Sequence, residues 1–466
     1  MDQRELSRTI GLLDAIVIVV GTVIGSAIFL VPNSVAESLP SAASIVLVWT
    51  LTGVLSFFGA LAFAELGAMI PDTGGQYVYL REAYGPLTGF VSGWALFLVI
   101  QTGSLATLAA GFAIYLAYFI PLSTAGARIA SVLLIAALTA VNYRGVRLGV
   151  GVQRTFTFLK LAGLAIIVAS AFLVPRHAPT AAAAATPFAW SRFGVAMIAC
   201  LWAYEGWNSL SFVAGEVERP ARNIPLALGI GAAMLIAIYL VANLAYMRML
   251  SVAEIAASSR VAAQSAAISI GPFGATLVAL TILVSIVGSA NGTTLTQARI
   301  YFAQARDGLF FPALGRVHPR FGTPHVAIAV QGVWAAVLAA SGSYERLFSY
   351  VIFAAWIFYG MVALAVVVLR RRWPDRVRPY RMWGYPVTPL LFAGVAFWFV
   401  ANTIVTTPVP SFIGLGIVAT GIPAYYAWRR FSTPQAGTAA REDDRGSCSG
   451  PAAIAGPGAR ERADRP

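Results

Sequence analysis

The sequence predicts an all-α integral membrane protein of twelve transmembrane helices. Three observations carry that prediction: a composition too apolar for water, apolar runs that recur at membrane-spanning length, and arginines that alternate between the two sets of run ends. Hydrophobic residues make up 58% of the 466-residue chain and charged residues only 11%, where a soluble domain would carry about 25% charged. Mean hydropathy is +0.76. A soluble chain of this length would divide into two or three domains with polar surfaces. This one instead repeats apolar runs of roughly twenty residues, enough to cross ~30 Å of hydrocarbon as helix.

The spans fall at about 11–38, 42–70, 85–117, 127–143, 151–174, 190–215, 226–250, 271–303, 324–341, 346–370, 386–406 and 409–429. Arg4 and Arg8 precede the first run as in a signal peptide, but the run is too long and many more follow. Residues 252–270, "VAEIAASSRVAAQSAAISI", read as a short amphipathic helix outside the membrane. With the N-terminus in the cytoplasm, twenty arginines lie at cytoplasmic ends. Six lie outside: Arg128, Arg176, Arg192, Arg248, Arg260 and Arg346. The positive-inside rule selects this orientation, with both termini cytoplasmic and the chain multi-pass in the cell (plasma or inner) membrane. The net charge of +13 follows from that asymmetry and does not point to nucleic acid. Cys200 lies in a span and Cys448 in the tail, so there is no disulfide framework. After about residue 430 the chain becomes rich in Gly, Ala, Pro and mixed charge; 431–466 read as a disordered cytoplasmic tail.

Two spans carry breaks. The first contains "GTVIGSAIFLVP", in which Gly21, Gly25, Ser26 and Pro32 interrupt a helical run; the sixth contains "CLWAYEGWNSL", with Glu205 and Gly206 near its middle. Glycine and a carboxylate both weaken an apolar helix there, and irregular backbone at membrane depth survives only beside protein or a water-filled cavity. Either motif alone reads as close helix packing. Together, five spans apart, they fit a five-plus-five inverted repeat of the LeuT kind, whose paired breaks meet at a midplane binding site. The repeats would cover about 11–174 and 190–370, with two extra helices completing one domain over 1–430. A helix restarting near Ala27 offers free N–H groups to an anion, and helices ending near Val23 and Trp202 offer carbonyls to an ammonium. A zwitterionic α-amino acid suits both.

These stretches resemble the amino acid–polyamine–organocation (APC) transporters, and among them the L-amino acid transporter (LAT) branch. "GTVIGSAIF" is similar to the branch's G-[ST]-G-I-F region, and "AYEGWN" with "GEVERPARNIPLAL" to its pattern after the second break. "PDTGGQYVYLREAYGPLTGFVSGW" and "SANGTTLTQARIYFAQARDGLFFPAL" match its loop after span two and the end of span eight. The resemblance runs over roughly residues 8 to 430. It implies a carboxylate site at the N–H groups of Gly25, Ser26 and Ala27, with Ile28 adjoining, and an ammonium site at carbonyls of Val23, Trp202 and Glu205, with Ala203 adjoining. Trp202 matches an aromatic gate and Asn208 a position near the substrate side chain. Ala27 replaces a usual glycine, which favours smaller ligands. Glu205 stands where relatives vary, and reads either as a structural carboxylate or as the partner of a cationic side chain.

Lys160 is the only lysine, set in the apolar run "TFTFLKLAGLAIIV" of span five. Gln153, Thr157 and Lys160 fall at i, i+4 and i+7, one helix face, which must point into the bundle. Snorkelling to the interface is the bland reading; yet arginine would serve there, and lysine differs in losing its proton when buried. The resemblance implies that its ammonium stands where sodium-coupled relatives hold a sodium ion. Carbonyls of Gly21 and Thr22 and the hydroxyl of Ser289, or of Ser285, would be its partners.

Asp14 and Glu65 are expected to pair with Arg4, Arg8 or Arg81. His177, His318 and His325 form no metal set, and no cofactor, phosphate loop or nucleophile motif occurs, so an enzyme is not expected. The function expected is sodium-independent carriage of small or medium neutral L-amino acids, by exchange or proton-linked transport through alternating access. A cationic amino acid or polyamine carrier is the alternative, and a sensor that binds without moving its ligand is the rival of another class. The loop Pro121 to Arg128 lacks the cysteine through which animal relatives hold a glycoprotein subunit, so no obligatory heavy chain is expected.

Overall fold

Inside hydrocarbon an α-helix satisfies its own backbone hydrogen bonds, and the chain is built from helices accordingly. The computed structural model describes residues 5–175, 189–342 and 344–431; the tail and part of the loop before residue 189 lie outside the described residues. The helices are α1 (Leu12–Val23), α2 (Ala27–Ser38), α3 (Ala42–Met69), α4 (Gln76–Tyr84), α5 (Pro86–Leu116), α6 (Thr124–Tyr143), α7 (Val146–Leu173) and α8 (Trp190–Ala203). There follow the single turn α9 (Ser209–Phe212), α10 (Pro220–Met249), α11 (Val252–Ala257), α12 (Val261–Ile270), α13 (Phe273–Arg306), α14 (His325–Ser341), α15 (Tyr344–Arg372), α16 (Val387–Thr406), α17 (Pro408–Ala419) and α18 (Gly421–Phe431). Among the described residues nine helical stretches are long and apolar enough to cross a membrane, and α1 with α2, bent by 46°, would make a tenth span.

The most buried spans are that of α15, 67% buried along its apolar window, and those of α3 and α13, each 61% buried; α6, at 17%, faces outward. α13 packs on α7 and α5, and α10 packs on α3 and α1. Residues 252–270 form two helices instead of the expected one. Ser251 and Glu254 cap α11 reciprocally, and a local turn in which Ser258 Oγ accepts the Arg260 N–H at 3.2 Å separates it from α12.

The acidic residues near span ends find other partners than expected. Asp14 pairs with Arg154 of α7. Glu65 accepts from Arg370 of α15 at 2.8 and 2.6 Å and from the Met382 N–H at 2.8 Å. Arg81 pairs with Asp307, which also receives the Tyr77 hydroxyl. In each case the arginine comes from a helix distant in sequence, because helix packing and not chain proximity brings the ends together. Near Glu65, burial first and the carboxylate's charge second push the Tyr380 hydroxyl up to about 12, so it stays neutral across the working range.

The segment before α1 is strapped down. Thr9 and Ile10 donate N–H groups to the Glu216 carbonyl at 2.9 and 3.0 Å, and Glu218 N–H returns to the Ile10 carbonyl at 2.9 Å. The Glu216 side chain lies beneath, fully buried, in a two-pronged pair with the fully buried Arg299 of α13 at 2.7 and 3.1 Å.

Candidate functional site

The apolar run of α1 ends at Val23. Ile24 leaves the helix at φ −71°, ψ 92°, its N–H still bonded to the Val20 carbonyl, and Ser26 precedes the restart at Ala27. The last carbonyls of α1 therefore have no intrahelical partner, nor do the first N–H groups of α2. α8 ends at Ala203, and the chain turns through Gly206 at φ +111°, a left-handed conformation that glycine adopts without steric cost. A Cβ on Gly206 would lie 3.4 Å from Thr22 Cγ2, so the two breaks touch. Two negative helix ends and one positive end meet there.

Lys160 reaches this junction from α7. Its Nζ donates to the carbonyls of Gly21 at 2.8 Å, Ile24 at 2.5 Å and Ser285 at 2.9 Å, with the Ser289 hydroxyl at 3.3 Å. The Ser285 and Ser289 hydroxyls also donate to the Ile24 carbonyl, at 2.8 and 3.0 Å. Gln153, Thr157 and Lys160 are 0%, 1% and 0% exposed. Thr22, expected as a carbonyl partner, is not one; its hydroxyl donates to Ile18 at 2.7 Å. Ile24 has left the helix, and its ψ of 92° lets its carbonyl turn to Lys160 beside that of Gly21. Ile24 is the partner that sequence reasoning missed. The approach needs glycine at 21, where a Cβ would fall 2.1 Å from Thr157 Oγ1 and 2.4 Å from Gln153 Nε2. Among the described residues no carboxylate pairs with the ammonium; helix-end carbonyls compensate it.

Beside the junction lies a cavity of about 120 Å³. Val23, Gly25, Ser26, Ala27, Trp202, Glu205 and Asn208 line it, with Thr22 and Ser289. Ile28 and Ala203 are buried behind the wall, at 0% and 1% exposure, and Lys160 and Gly21 stand behind it also. The Trp202 carbonyl already accepts the Glu205 N–H at 3.2 Å. Glu205 receives the Tyr359 hydroxyl, which in turn accepts from Asn208 Nδ2 at 3.3 Å. The far wall went unread in the sequence: Gln101, Ser104 and Leu108 of α5, and Thr293 and Gln297 of α13. The signal was present, since Gln101, Ser104 and Leu108 follow helical spacing inside an apolar run. A π-turn at Leu96–Ile100 directly precedes Gln101, an irregularity frequent at functional sites.

A sequence profile described as amino acid permease matches residues 10–426. The chain is 34% identical to the human b(0,+)-type amino acid transporter 1 over 414 residues, covering 87% of this chain and 84% of that one. It is 33% identical over 433 residues to a serine/threonine exchanger of Bacillus subtilis (strain 168), covering 92% and 98%. To the human cystine/glutamate transporter it is 31% identical over 433 residues, covering 91% and 86%.

Proposed function

Because the chain belongs to the amino acid permease family, we propose that it is a secondary carrier of α-amino acids working by alternating access. The observation that carries this is the meeting of the α2 N-terminus with the carbonyl ends of α1 and α8 at one cavity. The carboxylate takes the N–H groups of Gly25, Ser26 and Ala27, and the ammonium takes the Val23 carbonyl. The matching breaks support an inverted repeat within the twelve spans, and the arginine asymmetry supports cytoplasmic termini. Lys160 holds the site of a coupling cation, so no sodium is required. The relatives' names cover serine/threonine and cystine/glutamate and leave the substrate open; Ala27 and the small cavity favour small or medium neutral L-amino acids. The test is the purified chain alone in proteoliposomes, without sodium, screened by counterflow. Uptake of alanine- to valine-sized neutral amino acids is expected. Dependence on a sodium gradient or on a second subunit would overturn the corresponding claim, and binding without uptake would make the chain a sensor.

A cationic substrate is the second reading, favoured by the carboxylate of Glu205 in the cavity wall. Tyr359 already donates to that carboxylate, which supports the neutral reading. Glu205→Gln is therefore expected to keep neutral uptake within about threefold. Wild-type uptake of arginine that Glu205→Gln alone abolishes would establish the cationic reading.

A further inference from the structure

A groove of about 500 Å³ runs between α6 and α14, on the outside of the bundle and apart from the substrate cavity. Ala136, Ala140 and Val333 line it and are exposed. Its floor is a close approach of the two helices, where a Cβ on Gly332 would fall 2.3 Å from Thr139 Oγ1. From Ala136 to Arg144 the groove follows ~12 Å of helical rise along α6, most of the ~15 Å of hydrocarbon in one leaflet. That is room for the upper part of one acyl chain.

The mouth of the groove is basic and held in place. Arg144, exposed at the C-terminal end of α6, lines it. The Thr323 hydroxyl donates to the Tyr143 carbonyl at 2.8 Å and so ties the loop before α14 to the same end. In that loop His318 Nδ1 accepts the N–H groups of Arg320 and Phe321, each at 3.1 Å. The turn sets the Arg320 guanidinium over the Phe321 ring, 5.6 Å from its centroid, and Phe321 lines the groove. Among the described residues neither arginine pairs with a carboxylate. An apolar slot that ends in two such guanidiniums complements an acyl chain that ends in a phosphate. An apolar helix from another protein would leave the arginines unanswered, and a soluble phosphate would leave the slot empty.

We propose that this groove binds an anionic phospholipid of the cytoplasmic leaflet, its phosphate held by Arg144 and Arg320 and one acyl chain laid between α6 and α14. The leaflet follows from the orientation proposed above; the site itself is independent of the cargo. A lipid seated there joins two helices and stabilises the folded carrier by mass action.

The test is titration of the detergent-purified chain with dioleoyl phosphatidylglycerol and, separately, dioleoyl phosphatidylcholine, reading affinity and thermal stability. Phosphatidylglycerol is expected to bind about thirtyfold more tightly, the scale of two arginines facing an anionic headgroup, and to raise the unfolding temperature. Arg144→Ala with Arg320→Ala should abolish that preference and leave the stability without added lipid unchanged, since both side chains are exposed. Ala140→Phe keeps the charge and fills the slot, so it should abolish binding of both lipids. Equal affinity for the two lipids overturns the proposal, as does phosphatidylglycerol binding that survives Ala140→Phe, which would be surface charge alone. Equal stabilisation by glycerol phosphate would make the mouth a soluble-phosphate site, and a dimer that Ala140→Phe dissociates would make the groove a helix interface; either overturns it too.

Discussion

Lys160→Ala is expected to slow transport by ten- to a hundredfold while substrate affinity stays within about threefold. The ammonium ties α7 to the loose end of α1 and to α13 through three carbonyls and a hydroxyl. One charge-assisted hydrogen bond contributes ~1.5–3 kcal/mol, which shifts a two-state equilibrium by that factor. The variant should still fold, because the Ser285 and Ser289 hydroxyls continue to satisfy Ile24. Lys160 stands behind the cavity wall, so the loss should fall on the conformational step. Lys160→Arg should fail as well: Gly288 is so close that even a Cβ there would lie 2.9 Å from Lys160 Cε, and a planar guanidinium cannot converge on the same carbonyls. Side-by-side binding and uptake measurements check this. Wild-type transport rates in Lys160→Ala would reduce the lysine to a structural anchor.

Arg299→Met is expected to cost about 3–5 kcal/mol, the scale for removing one partner of a buried ion pair. Arg299 and Glu216 are both 0% exposed, so the variant leaves a carboxylate buried without its counter-charge. The Glu216 backbone also receives Thr9 and Ile10, so the strap before α1 should loosen with it. Thermal unfolding of the purified protein measures the loss. The double variant Glu216→Met with Arg299→Met should recover most of it, because apolar side chains can replace such a pair. Equal stability of single and double variants would show that the buried charge is not the cause.

The two residues differ in how far their roles were legible. Lys160 stood out as a lone lysine in an apolar run, and its spacing with Gln153 and Thr157 put it on the inward face. Arg299 did not stand out at all, since it sits at a basic span end beside Arg306 and reads there as ordinary topology. Its burial became visible only once α13 was found at the centre of the bundle with the loop carrying Glu216 folded over it.

By itself the sequence determined that the chain is helical and membrane-embedded, where α1 stops and α2 restarts, and which face of α7 turns inward. Composition, glycine placement and residue spacing are local quantities, and a helix fixes the azimuth of each side chain about its own axis. Only the tertiary structure decided that Ile24 and not Thr22 meets Lys160, that Asp14 takes Arg154 and Glu65 takes Arg370, and that α5 supplies the far wall of the cavity. Those outcomes depend on the rotation and axial offset of neighbouring helices. Both are set by close packing of many side chains at once, and no single run of residues carries that information.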